Sequence, residues 1–198
     1  NTTANSNTGI GSLALRSNTT GDVNVAVGMQ ALRDNTTGAS NVAVGTQTMA
    51  SNTTGMENVA VGYQALTGNA TSSFNTAVGS RALSANAGAS NTAMGAYALT
   101  ANGSGTLNTS VGSYALTSNT SGNSNSAVGA SALFSNTTGI ENTAMGARSM
   151  LSNTIGASNT AAGADALRSN TAGSSNTALG AQSLYSNTSG GLSAAVGH

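Results

Sequence analysis

The chain has 198 residues, only 5% of them charged and 3% aromatic, and its formal net charge is zero. A typical globular chain is roughly a quarter charged, so the surface here must come from Asn, Thr, Ser and Gly, and Ala, Val and Leu leave only a thin core. No basic cluster serves nucleic acid or anionic lipid, no run approaches the roughly 18 apolar residues of a membrane span, and the absence of cysteine excludes disulfides and thiolate metal sites.

Glycines set a register at Gly11, Gly28, Gly45, Gly62, Gly79, Gly95, Gly112, Gly129, Gly146, Gly163, Gly180 and Gly197; each step is 17 residues except the 16 from Gly79 to Gly95. The unit reads N-T-A-V-G-x-x-A-L-x-S-N-T-T-G-x-x, and the short copy loses its residue within Asn86-Ala87-Gly88. A unit this short cannot bury an apolar face alone, so copies must stack. The spacing predicts one tandem-repeat solenoid over residues 1–198. It is mainly β, with about twelve 17-residue coils, one short strand per coil and a short helical or irregular return.

Along each unit, Asn-Thr-Ala-Val reads as a short strand stopped by Gly at a corner. In Gly-x-x-Ala-Leu-x-Ser-Asn the preceding Val, the Ala and the Leu fall at i, i+4 and i+5, which favours one or two helical turns; a fully β coil with bent strands is the alternative. Asn-Thr-Thr-Gly is a turn. Four columns form the expected core: Ala26 and its equivalents, the apolar residue before each glycine (Val27, Val44, Val61, Val78, Met94, Val111), and pairs such as Ala31-Leu32, Ala65-Leu66 and Ala115-Leu116. Arg16, Arg33, Arg81, Arg148, Arg168, Asp22, Asp34, Glu57, Glu141 and Asp165 occupy variable columns or the turn and mark a solvent face. Strand spacing of about 4.8 Å makes a rod roughly 55–60 Å long, along which Asn7, Asn24, Asn41, Asn58 and Asn18, Asn35, Asn52 can bond as amide ladders.

Reactive constellations are sparse. His198 is the only histidine and the last residue, a poor place for the base that a nucleophile needs. Glu57 and Glu141 share a column but lie about 24 Å apart at strand spacing, too far for paired acid–base work. Most coils carry no acid, so a calcium-organised roll does not fit. No catalytic residue, metal site or cofactor is assigned, and an enzyme is not expected. Tyr97 and Tyr114 share a column in adjacent coils, so their rings can stack and offer a surface contact. Asn18, Asn35, Asn52 and Asn136 head Asn-Thr-Thr triplets and fit the glycosylation acceptor pattern, with turn chemistry as the plainer reading.

The segments Asn24-Val25-Ala26-Val27-Gly28, Asn75-Thr76-Ala77-Val78-Gly79 and Asn125-Ser126-Ala127-Val128-Gly129 resemble the N-S-V-A-I-G signature of trimeric autotransporter adhesin heads. They are more similar still to the N-T-A-V-G-x-x-A-L repeats of phage tail-fibre-like proteins. The resemblance covers nearly the whole chain, although the adhesin heads have a shorter repeat. It implies an extracellular or virion-surface fibre, stalk or adhesin segment that self-associates as a trimer or filament and meets a cell-surface or glycan receptor. The sequence opens inside a repeat without an initiating Met, which reads as a segment of a longer array. A second reading is a repeat surface for ice or glycan, with Thr19, Thr36 and Thr53 as a flat array interrupted at Ala70, Ala87 and Gly103.

Overall fold

The computed structural model describes residues 4–197. Twelve three-residue strands, from β1 (Thr8–Ile10) to β12 (Ala194–Val196), form one parallel sheet whose strand order is the chain order. The fold is the expected mainly β solenoid, one strand per coil. Its returns are irregular, with no helix among the described residues.

Register is constant along the rod. β7 (Thr109–Val111) pairs with β8 (Ser126–Val128) as Thr109↔Ser126, Ser110↔Ala127 and Val111↔Val128. The 16-residue step does not disturb this, since β5 (Thr76–Val78) still meets β6 (Thr92–Met94) as Thr76↔Thr92, Ala77↔Ala93 and Val78↔Met94. The shortening is taken up in the turn, where Asn86 Nδ2 donates to Gly88 O at 2.7 Å, two residues on; in other turns the same bond spans three.

The helical expectation for Gly-x-x-Ala-Leu fails because the backbone finds partners in neighbouring coils. Gln30 N donates back to Ser12 O at 2.8 Å and Leu32 N forward to Thr48 O at 3.0 Å, while Ala31 N and Arg33 N close short turns on Gly28 O and Gln30 O. Gln30 and Leu32 have φ of 60° and 48°. A positive φ at the third place of each turn is what a type II turn requires, and it cannot continue a right-handed helix. The residue before the strand Asn, such as Val23 or Ser40, is left-handed as well. Each coil therefore holds three non-glycine residues in a region costing roughly 1–2 kcal/mol apiece. Inter-coil hydrogen bonds and burial must offset that strain.

One of the four expected core columns lies outside the core. In a three-residue strand the middle side chain points opposite to its flanks. Ala26, Ala43 and Ala60 face inward and are fully buried, while the apolar column before glycine faces out, with Met94 45% and Val128 43% exposed. The core is built from Ala26, Ala31 and Leu32 and their equivalents together with both Asn columns, nearly all inaccessible. Where a coil puts a hydroxyl in an alanine column, it is bonded: Thr48 Oγ1 to Gly62 O at 2.7 Å, Ser110 Oγ to Ala115 O at 2.9 Å.

Corner glycines are required by stacking. Gly112 has φ of 137°, and a Cβ there would lie 2.5 Å from Gly129 O. We expect Gly112→Ala to destabilise the rod by at least about 2 kcal/mol, combining strain with overpacking. Denaturant unfolding measures it, with Ser113→Ala as the exposed neighbouring control.

Candidate functional site: the ladders and faces of the rod

The turn Asn and the strand Asn converge on one acceptor. Gly122 O receives Nδ2 of Asn119 at 3.0 Å from its own turn and Nδ2 of Asn108 at 2.8 Å from the strand side. Each amide also bonds along the rod: Asn119 Nδ2 donates to Asn102 Oδ1 at 2.8 Å, and Asn125 N donates to Asn108 Oδ1 at 2.9 Å. No buried side-chain nitrogen or oxygen among the described residues lacks a partner. The two Asn ladders read from sequence are thus present, and lie inside the core.

Their burial bears on glycosylation. Asn18 is 1% exposed and Asn35, Asn52 and Asn136 are inaccessible. Asn35 Nδ2 donates to Asn18 Oδ1 and Gly38 O, Asn52 Nδ2 to Asn35 Oδ1 and Gly55 O, and Asn136 Nδ2 to Asn119 Oδ1 and Gly139 O. Both amide hydrogens of these three nitrogens are engaged, so a glycan there demands an opened coil.

The predicted Thr array proves to be a structural ladder. Thr36 Oγ1 donates to Thr53 O at 3.0 Å, Thr53 Oγ1 to Ala70 O at 3.0 Å and Thr120 Oγ1 to Thr137 O at 3.0 Å; Thr19 Oγ1 donates to Thr36 O at 2.8 Å. A second hydroxyl column, which the sequence pattern does not set apart from the rest of the short strand, is presented outward: Thr76, Thr92, Thr109, Ser126, Thr143, Thr160 and Thr177. These hydroxyls have no hydrogen-bond partner among the described residues. Strand parity was the signal for it.

Another column forms a mixed side-chain ladder. Gln47 Nε2 donates to Gln30 Oε1, Gln64 Nε2 to Gln47 Oε1 and Arg81 Nε to Gln64 Oε1. The Arg81 guanidinium then lies 5.8 Å from the Tyr97 ring centre, and Tyr97 stacks on Tyr114 at 5.1 Å with planes 1° apart. Both faces of Tyr97 are thereby occupied, and Tyr114 remains 44% exposed.

The charges mostly face solvent, with one exception. Asp165 is only 7% exposed, held by Arg148 through Nε–Oδ1 and Nη2–Oδ2 bonds of 2.9 and 2.7 Å, with Arg168 Nε at 3.3 Å. Hydrogen bonding from Arg148 holds the Asp165 carboxyl below its ordinary value, aided by the charges of Arg148 and Arg168 and opposed by burial. Glu57 and Glu141 are exposed and apart; His198 lies outside the described residues. Among the described residues no acid or histidine group of metal-binding size occurs, no pocket opens, and no helix is long and apolar enough to cross a membrane.

These features define a parallel β-solenoid scaffold with continuous columns on its faces. No family model, curated protein or solved structure matches the chain.

Two outcomes are expected. Asn119→Ala removes both bonds of its Nδ2 and should cost about 1–3 kcal/mol, read from denaturant midpoints against Thr138→Ala on the surface. The Asp165 contribution is fully present above the ordinary aspartate pKa of about 3.9 and is lost as pH falls through the lowered folded value. The melting temperatures of wild type and Asp165→Asn should therefore differ at pH 6 and converge in strong acid.

Proposed function

We propose that the chain is a structural rod acting by surface contact: a segment of an extracellular or virion-surface fibre, stalk or adhesin that self-associates and presents repeated faces to a cell-surface or glycan receptor. The observation that carries this reading is the unbroken register of twelve coils, which repeats every outward side chain at strand spacing and fixes it on a stiff backbone. The similarity of segments such as Asn75-Thr76-Ala77-Val78-Gly79 to fibre and adhesin repeats supports the same role.

A rod of this kind uses its length and its faces. The apolar column before glycine runs the whole length, with Ile10 60%, Met94 45%, Met145 48% and Val196 81% exposed. Contiguous apolar surface of this extent marks interaction sites. Electron microscopy and sedimentation velocity of the purified chain test the proposal. Rods of about 55 Å per copy, at the usual strand spacing, that associate with rising concentration are the expected result. A compact particle, or a lone short monomer at every concentration, would remove the fibre reading.

A further inference from the structure

We infer that the outer face of the sheet is a binding surface for crystalline ice. The inference takes from the proposed function only the stiffness of the rod. It rests on how the two Thr columns differ: the turn Thr hydroxyls donate to the next coil, whereas the strand hydroxyls from Thr76 to Thr177 point outward with no partner among the described residues.

This row is regular. Seven successive coils present Thr76, Thr92, Thr109, Ser126, Thr143, Thr160 and Thr177 in one column, Ser126 being the sole departure from Thr. Parallel pairing sets their separation at about 4.8 Å, close to the repeat of oxygen rows in ice. The next outward column, two residues on, supplies methyl groups from Val78, Met94, Val111, Val128 and Leu179. Hydroxyls anchor ordered water by hydrogen bonds, and methyl groups between them favour caged rather than bulk-like water. The two columns together form a continuous, uncharged strip, for every Arg, Asp and Glu lies in another column.

Charge and period both favour ice over the other occupants. An ice plane is uncharged and periodic, and matches a strip with the same properties. A second copy seated on this strip would satisfy the seven hydroxyls only if its own hydroxyl row fell in register opposite them, whereas an ice plane offers donors and acceptors at every rung. Crystalline polysaccharide is gripped by flat aromatic rings, and this strip carries none; the stacked pair Tyr97–Tyr114 belongs to a different column.

The test uses the purified full chain and three variants. Thr109→Arg and Thr143→Arg place a bulky charge in the middle of the strip; Gln47→Arg places one in a column that already holds Arg81 and Arg148. Circular dichroism and thermal melts establish that each variant folds. Thermal hysteresis and inhibition of ice recrystallisation are then measured, and fluorescently labelled wild type is grown into a single ice crystal as a readout independent of any variant. Wild type and Gln47→Arg should be active and enter the ice, while both strip variants lose about tenfold or more, as when a charge must be desolvated at a contact. Wild type that is inert at high concentration and excluded from the crystal overturns the inference, even if microscopy still finds uniform rods and the fibre reading survives. Full activity in both strip variants overturns it too. So does an inert wild type that instead sediments with crystalline cellulose or chitin, or whose self-association the strip variants abolish.

Discussion

A single carbonyl oxygen organises each described coil but the shortened one, where Asn86 bonds Gly88 O and Asn75 turns to Ser73 O instead. Gly122 O accepts amide hydrogens from Asn108 and Asn119, and those same side chains bond to the coils on either side. A buried amide without its partners costs more than the bond itself contributes, so a coil shifted by even one position would leave the interior unsatisfied. Specificity of stacking thus comes from polar groups. Ala and Leu alone would tolerate sliding.

Satisfying that interior dictates the rest of the backbone. The return from strand to turn must aim its amides alternately at the coil before and the coil after, and left-handed residues such as Gln30 and Leu32 accomplish this. Leucine in that conformation is unfavourable by itself, but Leu32, Leu66 and Leu116 are completely buried, each gaining about 1.5–3 kcal/mol. In the leucine column strain and burial therefore fall on the same residue. The faces inherit their order from this interior.

Much of this was legible in the residues. The glycine period gives coil number and register, and the Ala and Leu columns form the expected core. Both Asn ladders bond along the rod as expected, although their place inside the core is not foreseen, because a column nearly constant through twelve coils reads as buried or bonded. The column of Val27 and Met94 was misread for the same reason: its constancy reflects a sheet face, and only strand parity sends it outward. Of the two readings of the return the irregular one holds and the helical one fails, because αL geometry at Gln30 and Leu32 has no compositional mark when neither Gly nor Asn occupies the site. The two Thr columns look alike as letters. Whether a hydroxyl faces a carbonyl of the next coil or faces water depends on backbone direction, which composition does not encode.

The shortened coil between β5 and β6 has a consequence for how such an array changes over generations. Its lost residue is absorbed at Asn86–Gly88, and Asn102 Nδ2 still reaches Asn86 Oδ1 at 2.7 Å. Small length errors are forgiven at that one bend, whereas the same error inside a strand would throw all later coils out of phase. Growth and shrinkage of the array should then proceed by duplicating or dropping whole units, so that lineages differ in rod length while every surviving rung keeps its place.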